Sequence, residues 1–297
     1  MRSAEQGFLL LTSHLGDMQS KPMTVAGFRT LLNRVKASER ASEDRDLHID
    51  DLIQLGYDRQ TGENILYLLS RKEQMDYYVN QAIRNGCVPL TRASENYPGN
   101  LRIRLGNDCP GCLWLKGDLE LLKKPAISLV GSRDLMPDSK AFAEEAGRQA
   151  AKQGYVLISG NARGADRTAQ DSCLQHGGQV ISIVADSLTE AVPEPNILYI
   201  SEDGFDCSFS SYRALSRNRL IHAMGKLTLV AQCSLGKGGT WDGCMQNLRH
   251  RWSPVFCFQD GSKAAAELTQ MGAGAVDIFD LADFSRLQTM ELSLFND

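Results

Sequence analysis

From about residue 126 to 258, short apolar runs alternate with amphipathic stretches, and this alternation constrains the fold more than any other feature. The runs lie at 126–131, 155–159, 179–184, 197–200, 227–231 and 254–258. Between them, helical spacing covers 138–153, 164–176, and the regions around 214–224 and 240–248. Apolar strands separated by helices make βαβ units, whose parallel sheet is covered on both faces. The expectation is an α/β fold with a doubly wound, mostly parallel sheet. In such sheets ligands bind beyond the carboxyl ends of the strands, which is where candidate residues are sought.

The chain before this region reads differently. Phe28, Leu31, Leu32 and Val35, then Ile65, Leu66, Leu68 and Leu69, recur at helical spacing, with a charged connector over 37–46. A short helix near Ile49 stops at Gly56, and another starts near Asp58. A small all-helical domain over 1–86 is predicted, then a sheet domain over 87–272 and a short acidic segment over 273–297. The apolar run from Phe8 to Leu11 is too short for a signal peptide or a membrane span, so a cytoplasmic protein with no membrane contact is expected. The eight cysteines read mostly as buried small apolar residues. Cys109 and Cys112 have metal-ligand or redox spacing, but no second pair accompanies them, and the bland reading is a turn. No cofactor and no metal site are predicted.

Four segments carry the chemistry expected at the strand ends. Gly131-Ser132-Arg133 follows the first run; its glycine admits a sharp turn and its arginine suits a phosphate. The loop Ser159-Gly160-Asn161-Ala162-Arg163-Gly164-Ala165-Asp166 opens a helix, whose N-terminal amides favour an anion. Arg217, Asn218 and Arg219 lie near the start of a later helix, and Lys237-Gly238-Gly239-Thr240 follows the run at 227–231. Any one of these is an ordinary turn. Converging on one face, they read as a phosphate-binding pocket, where Trp241 or Tyr212 could stack a base, although Trp241 reads first as ordinary helix packing. Neither GxGxxG nor a P-loop is present. His222, on the helix after Arg219, could line the pocket, but a lone helical histidine reads first as a surface or packing residue. No paired histidines and no GxSxG elbow are found, so catalytic residues are not assigned.

In order and spacing, several segments resemble the DNA-processing protein A (DprA/Smf) family, Rossmann-type proteins of the SLOG/LOG-like superfamily. They are Tyr97-Pro98, Leu115-Lys116-Gly117, Val130 to Arg133, Ser159 to Asp166, Gly177-Gly178, Ser201-Glu202 and Ser216 to Ile221. The resemblance implies an extended Rossmann domain, a sterile-alpha-motif-like helical domain, and binding of single-stranded DNA, commonly as a homodimer. It also implies hand-over to a RecA-type recombinase during natural transformation. The sequence departs from the family at Gln170, at Gln232 and over the loop from Leu235 to Trp241, and the segment 273–297 leaves no room for a winged helix.

Two alternatives share the same phosphate chemistry. One is a sensor of a nucleotide-derived ligand. The other is a nucleoside-monophosphate phosphoribohydrolase, which needs a glutamate three residues after Thr240, where Gly243 stands. The net charge of −4 argues against diffuse attraction to nucleic acid, yet it sums unlike regions. Residues 204–258 hold seven basic against two acidic side chains, and 259–297 two against seven. A confined basic groove is therefore expected, with an acidic tail that limits or competes for access to it.

Overall fold

The computed structural model describes residues 1–38 and 46–287. The connector expected over 37–46 and the last ten residues of the acidic segment fall largely or wholly outside that range.

One nine-stranded sheet organises the chain in the order β1-β2-β6-β5-β4-β3-β7-β8-β9. The strands are β1 (Cys87–Thr91), β2 (Cys112–Gly117), β3 (Ala126–Val130), β4 (Val156–Ser159), β5 (Gln179–Ile183), β6 (Ile197–Ser201), β7 (Thr228–Val230), β8 (Val255–Phe258) and β9 (Gly274–Val276). From β6 to β9 all pairings are parallel, while β1 and β2 extend the β6 edge antiparallel. The expected doubly wound, mostly parallel sheet is what forms. After β3 the chain winds outward through β4, β5 and β6, then returns to lay β7 against the other side of β3. That reversal opens a crevice at the ends of β3 and β7.

Alternation along β3 builds both faces. Ile127 and Leu129 join Phe142 and Ala146 of α7 (Pro137–Lys152) and Ala169 of α8 (Ala165–Gln175). Val130 faces the other way, toward Leu220 and Ile221 of α10 (Asn218–Met224) and Trp241 of α11 (Gly238–His250). Burying a Leu, Ile or Phe side chain stabilises by about 1.5–3 kcal/mol, so these layers hold the crevice walls in place.

The N-terminal part is helical, with α1 (Ser3–Thr12), α2 (Val25–Lys36), α3 (Ile49–Gln54), α4 (Arg59–Ser70) and α5 (Lys72–Arg84). Leu11, Phe28, Leu31, Leu52, Ile65 and Leu68 form a core of their own. Asp58 caps α4 by accepting the Thr61 amide at 2.9 Å, and Gly56 turns the chain before it with φ +85°. Met75 and Tyr78 of α5 pack instead with Trp114 of β2 and Phe205, which fastens the helices to the antiparallel edge. No helix among the described residues is long and apolar enough to cross a membrane.

Three strands lack the expected signal. In β2, five successive residues are buried, so no alternation marks it; β1 contains Pro89, which suits an edge strand. The strand β9 lies beyond the boundary placed at 272, and Leu281, Phe284 and Leu287 then pack on the α7 face. The described part of the acidic segment is therefore built into the face opposite α10 and α11, not laid over the groove. Cys109, just before β2, and Cys112, its first residue, are buried free thiols, and Tyr97 donates its hydroxyl to the Pro110 carbonyl at 2.7 Å between them. Among the described residues no cluster could hold a metal.

Candidate functional site

The crevice at the switch point holds a cleft of about 370 Å³. Its wall begins with the turn after β3, which is fixed from both sides. Ser132 donates its amide to the Gln232 carbonyl at 2.9 Å, and Thr240 donates its hydroxyl to the Gly131 carbonyl at 2.9 Å. From the other side the Ala165 amide donates to the Ser132 carbonyl at 3.0 Å. Gln232 uses both ends of its amide, accepting from the Met136 N–H at 2.8 Å and donating to the Asp134 carbonyl at 3.3 Å. A glutamate there would have no hydrogen to donate. Arg133 is left exposed on the cleft wall.

The loop before α8 works differently from expectation. Asp166 folds back and accepts the amides of Gly160 at 3.2 Å and Ala162 at 3.3 Å. With the Ala165 amide also engaged, the loop offers no ring of free donors; it seats a buried carboxylate instead. Gly164 makes this possible, because at φ +89° a side chain would meet the Ser132 carbonyl oxygen at 2.3 Å. Burial pushes the Asp166 carboxyl above its usual range, against the opposing pull of Arg217.

Arg217 interrupts the helix expected over 214–224, standing between α9 (Ser211–Ser216) and α10. Its side chain is only 9% exposed, and its Nη2 lies 4.0 Å from Asp166. Its Nε and Nη1 have no hydrogen-bond partner among the described residues. Buried donors are normally satisfied, and those of a guanidinium suit a planar or tetrahedral oxyanion. Asn218 donates to the Gly239 carbonyl at 3.0 Å, which ties α10 to the start of α11. The first turn of α11 carries Gly238, Gly239 and Thr240 into the cleft with no side-chain cap, and Lys237 stands exposed beside it. The free amides of this 13-residue helix therefore face the cleft. They replace the α8 loop as the source of backbone donors.

Ten expected residues thus line one cleft: Gly131, Ser132, Arg133, Asp166, Arg217, Asn218, Lys237, Gly238, Gly239 and Thr240. Ser159 and Gly160 lie buried behind Asp166 and Arg217, and Gly164 shapes the turn. Asn161 faces a neighbouring hollow beside Arg167 and Asp186. Arg163 is exposed on the rim, paired with Asp134 at 2.7 Å. Arg219 is turned away: Glu202 holds it with both carboxylate oxygens, and the Ser216 carbonyl accepts from it at 2.7 Å. Trp241 is buried in the core and unavailable for stacking, whereas Tyr212 is 77% exposed on α9 beside the cleft.

Two residues matter more than their sequence context indicates. Arg213 is buried and donates to Asp203, Ser201 and the carbonyls of Cys207 and Ser208, so it anchors the segment that carries Tyr212. An arginine inside an apolar helical pattern gave no hint of this. His222 is fully buried and lines the cleft, and burial lowers its pKa to about 3. Its folded value lies below the unfolded value of about 6.5, so its contribution to stability is present above that pH. Acidification from there toward pH 3 should remove it by up to about 1.4 kcal/mol per pH unit. In urea titrations at pH 7, 5 and 4, His222→Phe should lose less stability than the wild type; parallel losses would contradict the assignment.

Residues 89–285 match the family model of DNA recombination-mediator protein A. The chain is 29% identical over 182 residues to the DNA processing protein DprA of Streptococcus pneumoniae, covering 57% of this chain and 64% of that protein. To the protein Smf of Escherichia coli K12 it is 30% identical over 160 residues, covering 49% and 41%. The matches thus span less than two thirds of these relatives. The X-ray structure of S. pneumoniae DprA shares the fold with TM-score 0.68 and 21% identity, over 94% of this chain and 97% of that one. DNA processing protein A of Helicobacter pylori, whose structure addresses its single-stranded DNA binding mode, aligns with TM-score 0.57 and 27% identity over 70% and 96%. With well over half of its length matched by the family model, this chain belongs to the DNA recombination-mediator protein A family.

Proposed function

We propose that this protein binds single-stranded DNA by gripping its phosphates in the cleft between the ends of β3 and β7. The observation that carries the reading is the buried Arg217, whose Nε and Nη1 lack partners among the described residues in the cleft that the uncapped start of α11 also lines. Arg133 and Lys237 add exposed positive charge on the same walls. A cleft of about 370 Å³ suits one nucleotide unit at a time, with the chain continuing over the rim toward Tyr212 and Phe209. Bases of a single strand are free to stack on such exposed rings; those of a duplex are not. The H. pylori relative supports the ligand class. Hand-over to a RecA-type recombinase and a homodimeric state extend the proposal on family membership alone.

Affinity for oligothymidylates should rise with length, and log affinity should fall with log salt with a slope of roughly 2, at about 0.7 per phosphate for three contacting cations. Fluorescence anisotropy across a salt series checks both. Saturation by a mononucleotide as tight as by an oligonucleotide would instead favour a nucleotide sensor. Release of free base from a nucleoside monophosphate would favour the hydrolase, although at Gly243 a side chain would run into His222.

A further inference from the structure

The three cleft cations suit phosphate, but one buried donor in the same cleft carries no charge. Asn247 accepts the Ser253 amide on its Oδ1 at 2.9 Å, which fixes the orientation of its side-chain amide. Its Nδ2 therefore donates, to Ser253 Oγ at 3.1 Å and to His222 Nδ1 at 3.0 Å. An imidazole that accepts on Nδ1 carries its hydrogen on Nε2. That Nε2 is buried and has no partner among the described residues. Across from it stands Gly243, where a Cβ would lie 2.9 Å from the nitrogen, so any other residue would crowd the space in front of it. The cleft that His222 lines and the hollow beside Gly243 share Leu215, Asn218 and Gly239, so the two adjoin.

We propose that His222 is a specificity residue whose Nε2–H donates, directly or through one water, to an uncharged carbonyl oxygen on the base of a nucleotide held in the cleft. The proposal rests on the reading of the cleft as a site for single-stranded DNA and adds what is read beyond phosphate. Burial keeps the imidazole neutral, so it adds nothing to phosphate attraction; Arg133, Arg217 and Lys237 already supply that. A neutral donor matches an oxygen such as those of thymine or guanine. In a duplex the oxygens on the pairing edge are turned inward, so this contact favours an unpaired base.

Binding of a thymidine 12-mer and of an abasic 12-mer with the same phosphates separates the two levels. His222→Phe should weaken the thymidine 12-mer by about tenfold, the upper range for one neutral hydrogen bond, and leave the abasic chain unchanged. His222→Gln, which returns a donor near the same place, should restore most of the loss. In the wild type, the ¹⁵N and ¹H resonances of His222 Nε2–H should shift on addition of the thymidine 12-mer and stay in place with the abasic chain; this holds even if a variant fails to fold. Tight, salt-dependent binding of both oligonucleotides with those resonances unmoved would overturn the role of His222 and leave the phosphate cleft standing. Failure of the wild type to bind either oligonucleotide would overturn both.

Discussion

Arg217→Met is expected to lower affinity for single-stranded DNA by roughly thirtyfold or more, the consequence of losing about 2–5 kcal/mol from one desolvated charged contact. Arg217 is the buried one of the three cleft cations, and its Nε and Nη1 have no competing partner among the described residues, Nη2 alone facing Asp166. A phosphate oxygen there would replace nothing and satisfy two orphaned nitrogens. Arg217→Lys keeps the charge but not the fork, so it should fall between the wild type and Met. Arg219→Met is the control. Its side chain is spent on Glu202 and Ser216, so DNA affinity should be nearly unchanged. Equal losses at the two positions would overturn the placement of the cleft. The Met variant should also be less stable, because it leaves Asp166 buried without its cation. Breaking a tight buried pair costs about 3–5 kcal/mol; here the separation of 4.0 Å and the two retained amide bonds make the loss smaller. The sign of its pH dependence follows from the carboxyl. Its folded pKa, already raised by burial, rises further without Arg217. The stability deficit should therefore be least below the unfolded value of about 3.9 and grow as pH rises through the folded one. Asp166→Asn in the same chain should recover stability without recovering binding, which separates folding from the site.

The sequence carried the centre of this molecule clearly and its edges poorly, for physical reasons visible in particular residues. Strands β3, β4 and β5 are apolar runs bounded by turns, and the helices between them have full amphipathic length, so pattern and structure agree. Strand β2 is buried throughout, and β9 is three small residues, so neither has a period to detect. Within the site, the glycine-rich and arginine-bearing turns did converge, because strand order alone brings the ends of β3 and β7 together. What pattern cannot tell is which cation is already taken. Arg217 and Arg219 are two residues apart on a helical path and point to opposite fates, one beside Asp166 and the other clasped by Glu202. The partner sits 17 positions away in sequence, and nothing local announces it. His222 was similarly opaque, since its tautomer depends on Asn247, 25 residues further on.

Gly160→Ala should test the seating of Arg217 without removing any charge. Gly160 has ordinary negative-φ or extended backbone, so alanine itself is not strained there, and the obstacle is the arginine. An added Cβ would lie 1.4 Å from Arg217 Nη1 and 2.1 Å from Cζ, distances no packing tolerates. The guanidinium is the far end of a flexible side chain, so it swings aside while the backbone stays. The stability loss should stay within the about 1–3 kcal/mol typical of overpacking. The loss of binding should be larger than that suggests, because the displaced guanidinium no longer presents its fork in the cleft. At least about tenfold weaker binding is expected, equivalent to one charge-assisted hydrogen bond or more. The two variants then differ in salt dependence. Arg217→Met removes a cation, and its slope of log affinity against log salt should fall by about 0.7. Gly160→Ala keeps every cation, so its curve should run parallel to the wild type at lower affinity. If Gly160→Ala binds as tightly as the wild type across the salt series, the fixed position of the guanidinium is not what the ligand recognises. If it instead loses slope as Arg217→Met does, the displaced arginine has left the reach of the phosphates altogether, and the small residue at 160 is what admits that charge to the site.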